Sequence, residues 1–148
     1  MSPRIAPGND VVVIVRLLAA IAIAWGLISC GAAACENTVL SDIQSPDGQH
    51  HVVVFGRSCG ATTDFSTQVS IEARSTPVSG AGNVFIADSD HGKSPAGPGG
   101  GPDVTARWVD ASTVEISYNA RARVFHATAR QGGIEVRFVT RPSGPSHT

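Results

Sequence analysis

The sequence is poor in the residues that build helices. Beyond Cys30 it holds one leucine, Leu40, and no methionine. Leu and Met favour helices, whereas Val, Ile, Phe and Thr favour strands. The same stretch carries thirteen Val, five Ile and five Phe. No window of it shows an apolar stripe at helical spacing, so no helix is expected there. An excess of one charge is missing too. Eleven Lys and Arg meet twelve Asp and Glu, for a formal net charge of −1. A nucleic-acid-binding face needs a surplus of basic groups, so that class of partner is excluded. The only long apolar run, Leu17 to Ile28, excludes a polytopic membrane protein. The 148 residues suffice for one domain and hardly for two.

Residues 1–29 read as an export signal. Arg4 and Arg16 precede the apolar run, in the order of a basic n-region and an h-region. Arg16 also interrupts the stretch from Val11 to Ile28, which weakens a full membrane span of ~20 apolar residues. The run ends Leu27-Ile28-Ser29-Cys30, which resembles a bacterial lipobox. That resemblance implies a lipid on Cys30 and a domain tethered to a membrane of the cell envelope, facing the periplasm or the exterior. Two other readings stay open. Ala32-Ala33-Ala34 fits an A-x-A cleavage site that would free a domain starting at Cys35, and the segment could stay uncleaved as an anchor.

The chain has three cysteines, Cys30, Cys35 and Cys59. With Cys30 lipidated or removed, one pair remains, and export places it where disulfides persist. A Cys35–Cys59 bridge is therefore expected, pinning a first segment in which only Val39, Leu40 and Ile43 can pack. The rival reading makes Cys59, or a hydroxyl of Thr62 or Thr63, the nucleophile of an exported hydrolase. His50 and His51 precede Cys59 as candidate bases. No triad signature is recognisable, so no catalytic residue is assigned.

Alternation of apolar and polar residues places about eight strands. They cover Thr38–Gln44, His50–Gly56, Ser66–Arg74, Asn83–Ala87, Val104–Trp108, Val114–Tyr118, Val124–Ala129 and Ile134–Phe138. The unbroken Val52-Val53-Val54-Phe55 reads as a central strand buried on both faces. Trp108 and Tyr118 alternate with core positions and read as core. Ser45-Pro46-Asp47-Gly48, Asp110-Ala111-Ser112 and Gln131-Gly132-Gly133 read as turns. Short connections imply antiparallel pairing. The expected fold is all-β: a small antiparallel β-sandwich or barrel over residues 35–141. Ser75–Gly82 reads as a polar loop. The Gly- and Pro-rich stretch His91–Asp103 is expected to be mobile and exposed, and residues 142–148 to form a disordered tail.

The strings SPDGQHHVVVFGRSCGATTDFSTQVSIEA, GNVFIAD and ARWVDASTVEISY resemble a family of small bacterial exported proteins with the pattern SPDG, CGATT, GNVF. The resemblance spans about Cys35 to Phe138, and its most specific part is Cys59-Gly60-Ala61-Thr62-Thr63. It implies an exported single domain and a Cys near the mature N-terminus accompanying the CGATT Cys, as Cys35 and Cys59 do here. It implies no chemistry.

Other motifs are weaker. Ala87 to Ser94 fits a relaxed phosphate-loop pattern, but Pro95 and the glycines after it cannot form the helix such a loop needs. Asp88, Asp90 and His91 offer three oxygen and imidazole donors without a closed ligand set, so no metal or other cofactor is expected. Adjacent His50 and His51 point to opposite faces of a strand and cannot share a metal. His126 falls on the solvated face without a partner carboxylate. Arg121 and Arg123 share a face, and with Arg130, Arg137 and Arg141 make the C-terminal third mildly basic. A solvated sheet face explains this; contact with anionic headgroups or an acidic partner is the functional reading. The expected function is a lipid-anchored, non-enzymatic envelope domain that binds a protein or wall partner, with the hydrolase as alternative.

Overall fold

The computed structural model describes residues 35–60 and 64–142. The export signal, Cys30, the A-x-A site, Thr62, Thr63 and the tail beyond Pro142 lie outside the described residues. Nine strands follow in order: β1 (Glu36–Gln44), β2 (His50–Ser58), β3 (Ser66–Ala73), β4 (Phe85–Asp88), β5 (Val104–Asp110), β6 (Thr113–Asn119), β7 (Arg123–Ala127), β8 (Arg130–Gln131) and β9 (Ile134–Arg141). They build two sheets, β1-β2-β3-β4-β7 and β5-β6-β9-β8. The described residues are all-β without helix, as expected, and the two sheets do not close into a barrel.

The core lies between the sheets. Val52, Val54 and Val69 from the first meet Val114, Ile116 and Val136 from the second. At its centre Phe85, fully buried, sits 4.8 Å from the Tyr118 ring and 5.8 Å from Phe138. Trp108 packs against the same core, and its Nε1–H donates to the Ile43 carbonyl at 2.9 Å. Both aromatic residues are structural, as their alternation implies.

The Val52–Phe55 run is buried on both faces, as its composition requires. Val52 and Val54 face the core. Val53 and Phe55 face outward, and the loop after β3 covers that side. Three side chains there hold it down. Arg57 Nη1 donates to the Gly80 carbonyl at 2.6 Å, Asn37 Nδ2 to the same carbonyl at 2.9 Å, and His51 Nε2 lies 3.0 Å from the Thr76 carbonyl. The loop re-enters through Asn83. Its Oδ1 accepts from Ile71 N–H and its Nδ2 donates to Ile71 C=O, so one side-chain amide imitates a ladder step. That is why β4 starts at Phe85 and not at Asn83.

Four expectations need correction. Pairing is not antiparallel throughout: β6 and β9 run parallel. After β6 the chain crosses to pair β7 with β4, and the Gln131–Gly133 reversal then brings β9 back beside β6 in the same direction. The expected strand Val124–Ala129 stops at Ala127, because the chain changes sheets there. The Gly- and Pro-rich loop is not simply exposed. Ser94, Gly101 and Pro102 are buried, and Thr67 Oγ1 donates to Pro102 C=O at 2.7 Å. A Cβ at Gly101 would fall 2.5 Å from Thr67 Oγ1 and 2.7 Å from Thr67 N, so glycine permits this approach. Finally, of Val39, Leu40 and Ile43, only Leu40 packs on the core; the other two are exposed.

Edge strands tend to pair with foreign strands, and bulges prevent it. Three edges here carry one. The β1–β2 register skips Leu40, the β5–β6 register skips Val109, and the β4–β7 register skips Phe125.

Candidate functional site

The sequence singles out Cys59, Asp88, Asp90, His91 and Arg123, and the fold gathers them at one end of the first sheet. The ladders align Arg57, Ser66, Asp88 and Arg123 across four strands on one face. Asp88 is 5% exposed, and Arg123 grips its carboxylate with two prongs, Nε lying 3.1 Å from Oδ1. Oδ1 also accepts from the Asp90 amide at 2.9 Å. Lys93 Nζ donates to Asp90 Oδ2 at 2.7 Å, and His91 Nδ1 lies 3.5 Å from Asp64 Oδ2. Asp90 and His91 take φ of 45° and 56°, a left-handed turn that Asp and His tolerate better than most residues.

Burial pushes the Asp88 carboxyl up. The Arg123 hydrogen bonds, the Asp90 amide and the Arg123 charge together outweigh that, so its pKa lies below the ordinary value. The sign follows. A carboxylate with a depressed folded pKa stabilises the fold fully above its unfolded value, near 3.8, and loses that contribution as pH falls further. Denaturant titrations from about pH 6 to pH 3 should therefore show a steep acid limb that flattens in Asp88→Asn. An equal slope in both proteins would refute the assignment.

The same contacts limit the chemistry. The Asp88 and Asp90 oxygens are engaged by Arg123 and Lys93. No group of three His, Cys, Asp or Glu among the described residues could hold a metal. After Asp88 the chain leaves β4 for turns, with no helix to cradle a phosphate. His51 is engaged with Asp42 at 2.8 Å, and His126 Nε2 lies 3.3 Å from the Asn83 carbonyl. Cys59 is bonded to Cys35. The β1–β2 register explains the pair. Glu36 faces Ser58, and one step further Cys35 faces Cys59. A sulfur in a disulfide supplies no thiolate, so Cys59 is not a nucleophile in this state.

The basic third is not a free cationic face. Arg121 lies in the turn before β7, its N–H bonded to Asn119 Oδ1, and does not share a strand face with Arg123. Arg123, Arg137 and Arg141 are paired with Asp88, Glu135 and Asp103. Alternation shows that arginines are near one another. It does not show the carboxylates that long-range pairing brings to them.

One feature escaped sequence reading: the open edge of β9. β8 pairs only with Ile134 and Glu135. Glu135 N–H donates toward β6, to Ser112, while Val136 N–H donates the other way, to Ala129. By alternation the backbone groups of Phe138 and Thr140 point away from β6. Among the described residues none pairs with them, and no bulge interrupts this edge. Exposed aromatics gather elsewhere: Phe65 and Phe125 lie at the Cys35–Cys59 end, and the Arg123 guanidinium stands 5.0 Å over the Phe125 ring. Comparison of the chain with models of protein families, with curated proteins and with solved structures found no match to any of them.

Proposed function

We propose that the chain is a lipid-tethered, non-enzymatic domain of the bacterial cell envelope that binds a protein partner by strand addition along β9. The observation that carries this reading is the contrast between edges. β1, β5 and β7 are each blunted by a bulge, whereas β9 from Phe138 to Thr140 is regular and open. An extended segment laid there would gain main-chain hydrogen bonds, with Val139 on the outer face adding apolar contact. The signal-like residues 1–29, the lipobox-like Leu27-Ile28-Ser29-Cys30 and the likeness to small exported proteins support the location. The hydrolase reading loses its sulfur nucleophile to the disulfide.

Thr140→Pro tests the edge. It removes an outward N–H without touching the β6 ladder, and proline is tolerated at such edge positions. Partner capture by the full chain from solubilised envelopes should weaken by about tenfold or more, equivalent to ~1.4 kcal/mol. The melting temperature should hold. Equal capture by both proteins would overturn strand addition.

A further inference from the structure

The tether, if it is at Cys30, decides which end of the domain meets the membrane. Only residues 31–34 separate Cys30 from Cys35. Five extended steps span at most ~18 Å, so the Cys35–Cys59 end cannot leave the headgroup region by more than that. The same end carries the two exposed phenylalanines of the domain. Phe65 is 53% exposed and Phe125 60%, whereas Phe55 and Phe85 are fully buried and Phe138 packs on the core. Phe65 and Phe125 flank Asp64. A cavity of about 460 Å³ is bordered by Phe65, Asp64 and His91, and one of about 340 Å³ by Phe125, Asp64 and Cys59.

We propose that Phe65 and Phe125 dock this end of the domain onto the bilayer surface, with their rings in the interfacial layer. This rests on the lipid-tether reading above. Two exposed rings make a weak contact alone. A tether this short keeps them at high effective concentration beside the bilayer, so weak contact suffices. At this end Arg57, Lys93 and Arg123 stand against Glu36, Asp64, Asp88 and Asp90, with Arg123 paired to Asp88 and Lys93 to Asp90, so no surplus of positive charge is left. Docking is therefore apolar and needs no anionic lipid.

The test uses the full chain, made in a bacterium with fluorinated phenylalanine at its five Phe positions and placed in lipid nanodiscs. Uptake of labelled fatty acid, abolished by Cys30→Ser, is read first. Lipids spin-labelled near the headgroup should then relax the Phe65 and Phe125 fluorine signals several-fold faster than those of Phe55, Phe85 and Phe138. The effect should be equal in zwitterionic and anionic discs. Fatty acid on Cys30 with all five signals alike overturns the docking and leaves the tether standing. Enhancement in anionic discs only overturns the apolar mechanism. Absence of fatty acid from Cys30 overturns the tether and the docking that rests on it.

Discussion

Phe85→Ala should cost ~3–5 kcal/mol, the largest loss expected from any single substitution among the described residues. Phe85 has no exposure, and its ring meets Tyr118 and Phe138, residues of the opposite sheet. Truncation removes the transfer free energy of the ring and leaves a cavity between two sheets whose backbones are fixed by ladders and cannot collapse into it. For a domain near 100 residues each kcal/mol moves the melting temperature by ~4–8 °C, so a fall of ~12 °C or more is expected. Phe125→Ala is the control. That ring is exposed, and its loss should change stability by ~0.5 kcal/mol or less. Thermal denaturation of the two variants separates these outcomes, and similar melting temperatures would refute the placement of Phe85.

Loss of the Cys35–Cys59 bridge should cost ~2–4 kcal/mol, and unevenly. The bridge closes the open end of the β1–β2 hairpin, its cysteines standing 24 positions apart in sequence. In the chain-entropy account the gain comes from the unfolded state, whose closed loop has less freedom to lose. In the folded state the burden falls on β1. Its remaining ties are the β2 ladder, Leu40 on the core, the Ile43 carbonyl held by Trp108, and the side-chain contacts of Asn37 with Gly80 and Asp42 with His51. The double variant Cys35→Ala with Cys59→Ala should keep its strand signal in circular dichroism. Amide exchange should quicken first across Thr38–Gln44, while β6 amides stay protected until the whole domain opens. Uniform loss of protection would show that β1 is integral to the sandwich and not an edge held by its staple.

Much of the fold was legible in local sequence. The near absence of Leu and Met, the period-two alternation in Val69 and Ile71 or Ile134 and Val136, and the Pro-Asp-Gly and Gly-Gly turns all act over a few residues. Strand existence depends on such short-range preferences, so it can be read from one chain. The cysteine pair was legible for a different reason, since its argument needed only a count and a compartment. The candidate surfaces were hardly legible. Asp88 and Arg123 stand 35 residues apart and meet only because β7 joins the first sheet. Nothing near Arg123 in sequence announces a buried carboxylate, so the arginine reads as surface charge.

The sequence by itself determined the all-β class, eight of the nine strand segments to within a few residues (the short β8 reads as part of a turn), the double burial of Val52–Phe55 and the Cys35–Cys59 partnership. Tertiary structure alone decided which sheet each strand enters, the parallel β6–β9 pair, the pairing of the arginines, the burial of Gly101 and Pro102, and which edge is left open. The division has one physical cause. Alternation and turn chemistry fix which way a side chain faces and where the chain reverses. Choice between two sheets depends on contacts distant in sequence, whose energies no local window contains.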